Sequence, residues 1–85
     1  MSWTEDEAKR LGDAVRRLRS DRELSQEALA FTAGVTKNQL QLIEAGRGSG
    51  RKGAQGPSNP RLSTLAGLAS VLQVKVSELL AEAGI

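Results

Sequence analysis

The sequence predicts an all-α fold: a compact bundle of five short helices around one leucine-rich core. Two observations carry this. Apolar residues recur at spacings of three and four along most of the 85 residues, aromatics number two and β-branched residues are scattered, so helix periodicity dominates and the sequence reads as helical. Capping residues, glycines and prolines then cut that pattern into five pieces. At this length the chain is expected to be a single domain, near the lower limit of what folds alone.

The first helix is expected at about Glu5 to Asp21. Ala8, Leu11, Val15 and Leu18 form its apolar stripe, Thr4 and Glu7 make a capping box, and Trp3 with Ala8 makes a hydrophobic staple outside it. Ser25 caps a second helix that carries Leu29, Ala30 and Ala33 and is ended by Gly34 in the left-handed conformation. Only Val35 and Thr36 intervene before a third, about Lys37 to Ala45, which Thr36 caps and Gly46 stops. The stretch Gly46 to Pro60, "GRGSGRKGAQGPSNP", holds five of the nine glycines and both prolines and reads as a flexible basic loop. Leu62, Leu65, Leu68, Ala69 and Leu72 then give a fourth helix, with Asn59-Pro60 as cap and first-turn proline. Val76, Leu79 and Leu80 give a fifth, about Val76 to Ala83.

Composition narrows the chemistry. The chain has no Cys and no His, which excludes disulfides, thiolate or imidazole metal sites and Cys/His nucleophiles. "GRGSGRKGAQG" lacks the preceding strand and the lysine–hydroxyl ending of a phosphate-binding loop, so neither an enzyme nor a cofactor is expected. No apolar run approaches 18 residues and the start "MSWTEDEAKR" is acidic, so a cytoplasmic protein without membrane span or signal peptide is expected.

The net charge of +2 says little, but its distribution says more. Residues 1–27 hold six basic and seven acidic side chains. Residues 28–77 hold Lys37, Arg47, Arg51, Lys52, Arg61 and Lys75 against Glu44 alone, and residues 78–85 add Glu78 and Glu82. A basic middle between acidic ends suits a polyanionic partner. On charge alone, a solvated basic loop accounts for the same pattern equally well.

Two short helices joined by a tight glycine turn are the sequence form of a helix-turn-helix. Residues Leu18 to Leu80 resemble the Cro/repressor (Xre-like) helix-turn-helix family through "LRSDRELSQEALAFTAGV", "TKNQLQLIEAGR" and "NPRLSTLAGLASVLQVKVSELL". The ordered set Leu-Ser-Gln, Ala-Gly-Val, Ile-Glu-x-Gly-Arg and Val-x-Val-Ser-Glu-Leu-Leu makes the resemblance specific. It implies a lambda-repressor-like bundle whose second and third helices form the helix-turn-helix, and a transcriptional regulator that binds double-stranded DNA. On a wheel of about 100° per residue, Leu40 and Ile43 set the core direction, and Asn38, Gln41, Leu42 and Ala45 fall opposite, with Lys37 at the exposed start. Lys37, Asn38, Gln41 and Leu42 are therefore the expected base readers: Asn and Gln pair with adenine edges, Lys reaches guanine or phosphate, and Leu contacts a thymine methyl. Gln26, Gln39 and Arg47 are the expected phosphate contacts, joined by Arg51 and Lys52 if the loop reaches DNA rather than serving as a tether. Glu44 lies beside the core direction, and in several relatives this position pairs with a helix-1 arginine, here Arg19.

The sequence departs from the family in places. Leu42 stands where a polar groove-facing residue is common, Phe31 lies on the usually polar outer side of helix 2, and Arg61 and Lys75 replace the usual caps of helices 4 and 5. The Gly46–Pro60 loop is several residues longer than the common connection. Family members usually bind pseudopalindromic sites as dimers, so a homodimer is expected, with Leu79, Ala83 and Ile85 as candidate contacts. With no second module in the sequence, a stand-alone binder is expected, of the kind found among small regulators, restriction–modification controllers and antitoxins. A protein-interaction adaptor on the same fold is the competing class.

Overall fold

The computed structural model describes residues 3–48 and 56–85. Among these, five helices follow in order: α1 (Glu5–Asp21), α2 (Gln26–Ala33), α3 (Lys37–Glu44), α4 (Leu62–Leu72) and α5 (Val76–Glu82). The helix starts follow from local chemistry. Thr4 and Glu7 close a capping box on α1, Ser25 Oγ accepts the Ala28 N–H on α2, and Thr36 with Gln39 closes a second box on α3. Gly34 at φ +80° and Gly46 at φ +71° turn the chain out of α2 and α3. At α5, Glu78 accepts the Lys75 N–H at 2.9 Å, so the lysine start is held by half a capping box.

The core is aliphatic. Leu11, Val15, Leu29, Leu40, Leu68, Leu72 and Leu79 are wholly buried, with Ala14, Ala30, Ile43, Ala69 and Ala83 between them. Two glycines allow closer packing than any side chain permits. A Cβ on Gly12 would lie 2.3 Å from the Ile43 carbonyl oxygen, so α1 and α3 approach backbone to backbone. A Cβ on Gly67 would lie 2.7 Å from the Ala33 oxygen, which sets α4 against the end of α2. Arginines of α1 and its C-cap tie down the far helix ends: Arg22 Nε donates to the Leu72 carbonyl at 2.8 Å, and Arg10 Nη1 to the Ala83 and Gly84 carbonyls at 3.1 Å each. No single helix among the described residues is long and apolar enough to cross a membrane.

Three expectations need correction. Asn59-Pro60 does not start α4; the cap is Arg61, which makes no side-chain cap bond. The Gly46–Pro60 stretch is not loose throughout, because its two ends pair. Arg47 and Pro57 form an isolated antiparallel bridge, the Gly48 N–H donates to Gly56 and the Ser58 N–H to Gly46, each at 3.0 Å. The chain from Pro57 to Pro60 thus stays extended to close this stem and bury Ser58, which postpones the helix. Finally, Leu79 (0% exposed) and Ala83 (3%) belong to the chain's own core and have no surface to give a second copy. They face α1 and α4, because a short fifth helix must spend its apolar side closing the bundle. Of the three candidates only Ile85, 39% exposed, stays at the surface.

Candidate nucleic-acid interface

The α2–turn–α3 unit is held from behind. Leu40 and Ile43 anchor α3 in the core, and Glu44, only 6% exposed, sits beside them. Arg19 grips it with two bonds, Nε to Oε2 at 2.7 Å and Nη2 to Oε1 at 3.0 Å, while Arg19 Nη1 donates to the Leu24 carbonyl at 2.9 Å. The hydrogen bond to Glu44 raises the Arg19 pKa above its ordinary value, with burial opposing and the carboxylate charge assisting. Gln26 Nε2 adds a third donor to Glu44 Oε1 at 3.1 Å. One carboxylate therefore joins the end of α1, the start of α2 and the end of α3. With every buried side-chain polar atom among the described residues satisfied, this network leaves no orphan.

The side of α3 turned away from the core is exposed. Lys37, Asn38, Gln39, Gln41 and Ala45 face solvent, and Leu42 is half-buried. Their polar ends are not equivalent. Asn38 and Gln41 are exposed, with no hydrogen-bond partner among the described residues. The carbonyl of Gln39 accepts the Thr36 N–H at 2.8 Å, which leaves its NH₂ to donate outward. Lys37 Nζ lies 3.0 Å from Glu27 Oε1, an exposed pair of the kind that exchanges readily for another partner.

Beside α3 lies an open trough of about 410 Å³ between α3, the loop stem and the start of α4. Gln39, Arg47, Asn59, Arg61, Ser63 and Thr64 bring donors to it, and Leu42 lies on its wall. Arg47 has no acidic partner among the described residues. The expected phosphate contacts are thus divided. Gln39 and Arg47 share the trough, whereas Gln26 lies at the start of α2 with one amide N–H committed to Glu44. Arg51 and Lys52 lie outside the described residues. The sequence reading missed Arg61 and Asn59 as trough residues, because it placed them in a helix cap. It also missed Gln26 as a member of the Glu44 network; the signal was its amide opening α2 opposite a carboxylate that already had to be half-buried.

A family model described as a helix-turn-helix domain matches residues 10–82, most of the chain. The chain belongs to the helix-turn-helix domain family. Within it, α2 and α3 are the two named helices, and α1, α4 and α5 form the support. Among solved structures, the crystal structure of the clp gene regulator ClgR from Corynebacterium glutamicum is similar, with a TM-score of 0.73 and 27% sequence identity over 92% of this chain and 72% of that one. No curated protein matches the chain.

Proposed function

We propose that this helix-turn-helix protein is a sequence-specific double-stranded DNA-binding transcriptional regulator, with α3 entering the major groove. The observation that carries the reading is the two-sidedness of α3: Leu40, Ile43 and Glu44 are buried, while Asn38 and Gln41, with Lys37 in its exposed pair with Glu27, are exposed on the opposite side. An α-helix fits the major groove, and Asn or Gln amides match the donor–acceptor pair of adenine. The trough of Gln39, Arg47, Asn59 and Arg61 suits the adjoining sugar-phosphate strand, since these side chains offer donors and phosphate only accepts. The first N–H groups of α2 offer a second phosphate contact. The similarity to a gene regulator supports regulation as the outcome of binding.

One helix reads only a few base pairs, so the reading includes a two-fold dimer on a pseudopalindromic site. Half-sites one turn apart are separated by about 34 Å. The molecule measures 33 × 26 × 20 Å, so two copies side by side fit that spacing. Ile85 is the residue of α5's end that remains for such a contact.

Binding of a random-sequence duplex, followed by anisotropy from about 50 to 200 mM salt, tests the reading. Affinity is expected to fall steeply with salt. Absence of salt-sensitive binding at micromolar protein contradicts it and favours the second reading, an interaction adaptor or antitoxin-type module. That alternative draws on Phe31, 88% exposed at the surface beside Val35 and Lys37, and on Leu62, 71% exposed.

A further inference from the structure

We propose that Trp3 is a positioning residue for the phosphate side of the interface, acting through the stem of the α3–α4 connection. The proposal rests on the DNA-binding reading above and adds a residue that lies outside the matched family segment.

The stem is clamped on both strands. The Ser58 N–H donates to Gly46 and the Gly48 N–H to Gly56, at 3.0 Å each. Ser58 is 4% exposed, so its carbonyl has little water to turn to. The indole N–H of Trp3 supplies the donor. Tryptophan suits this place because its ring packs on the core while its single N–H only donates. The direction from which Trp3 arrives is fixed by the Thr4–Glu7 capping box immediately after it. The opposite strand is pressed on the same helix: a Cβ on Gly46 would lie 2.9 Å from the Lys9 Cα.

Arg47 stands between the two clamped glycines, and its own N–H donates to the Leu42 carbonyl at 2.9 Å. Its backbone is therefore fixed from the α3 side and from the stem side before any ligand arrives. Removing the indole donor leaves the Ser58 carbonyl unsatisfied and frees the stem. Arg47 must then be ordered at the moment of binding, which weakens every phosphate contact it makes without altering base choice.

Trp3→Phe keeps a ring on the core and removes only the N–H. Hydrogen exchange without DNA is expected to show the Gly48 and Ser58 amides losing protection by about two- to tenfold, with Leu29 and Leu68 unchanged. Duplex titrations over a range of salt are expected to show affinity lowered by about two- to tenfold, equally on unrelated sequences, with the log–log slope unchanged because Arg47 still neutralises its phosphate once ordered. Arg47→Ala is expected to flatten the slope by about one unit, and Trp3→Phe added to it to lower affinity no further. Unchanged stem protection overturns the proposal. Loosened stem amides with an unchanged affinity leave Trp3 a purely structural residue and overturn it as well. If the wild-type chain binds no duplex in a salt-dependent way, the DNA reading itself fails and the positioning role falls with it, while the exchange result still decides whether Trp3 holds the stem.

Discussion

Arg19 and Glu44, on α1 and α3, form a two-pronged ion pair at 2.7 and 3.0 Å around a carboxylate that is 6% exposed. The pair fixes the rotation of α3 about its own axis, and so decides which residues it turns outward. Removing one partner strands a desolvated charge. Arg19→Ala or Glu44→Ala is expected to destabilise the fold by roughly 3–5 kcal/mol in urea unfolding. Arg19→Met with Glu44→Leu removes both charges and is expected to lose much less than the two single changes together; additive losses contradict the pairing. Because the Arg19 pKa is raised, its share of stability is complete below its ordinary value and is lost only as pH rises through the raised one. The Arg19 contribution is therefore expected to be flat between about pH 6 and 9.

Gly12 is the backbone side of the same junction. Gly12→Ala drives a methyl to 2.3 Å from the Ile43 oxygen, and backbone must move to admit it. A loss of about 1–3 kcal/mol is expected, although alanine is the better helix former. A stabilised variant would mean that α1 and α3 do not approach so closely.

Leu79 separates core from interface. Leu79→Ala is expected to cost about 2–5 kcal/mol, as for a buried leucine, at every protein concentration. A loss that disappears in dilute protein, where copies separate, would return Leu79 to an interface.

Asn38 and Arg47 are expected to differ in kind. Asn38→Ala should lower discrimination between the preferred and an unrelated duplex by about 1–3 kcal/mol and leave stability within about 0.5 kcal/mol. Arg47→Ala should weaken both duplexes alike and flatten the salt dependence. Anisotropy titrations of each variant on both duplexes decide this, and matching losses from both variants contradict the division of labour.

Much of the frame is legible in the sequence because its signals are local. Thr4 with Glu7, Ser25 with Gly34 and Thr36 with Gly46 each act within one turn, and α1, α2 and α3 lie within a residue of their expected bounds. The exposure of Lys37, Asn38, Gln41 and Ala45 follows from the same periodicity, whereas Leu42, placed on that side by the helical wheel, is half-buried against the trough. What escaped is non-local. Nothing near Gly12 or Gly67 distinguishes a tolerated helical glycine from one pressed against a neighbouring carbonyl. The stem pairs Gly46 with Ser58 across a glycine-rich stretch that has no strand pattern, and Trp3 reaches Ser58 from the far end of the chain. Leu79 and Ala83 were ambiguous for another reason: a heptapeptide helix has one apolar side, and composition does not say whether it meets its own core or another copy.

The most direct measurement is selection of bound duplexes from a random pool by the wild-type chain and by Asn38→Ala with Gln41→Ala, followed by sequencing. The wild type is expected to enrich a pseudopalindrome with half-sites about one helical turn apart, and the variant to fold normally and lose that preference. Recovery of the same preferred sequence by both proteins, or of none by the wild type, contradicts base reading by the outer face of α3.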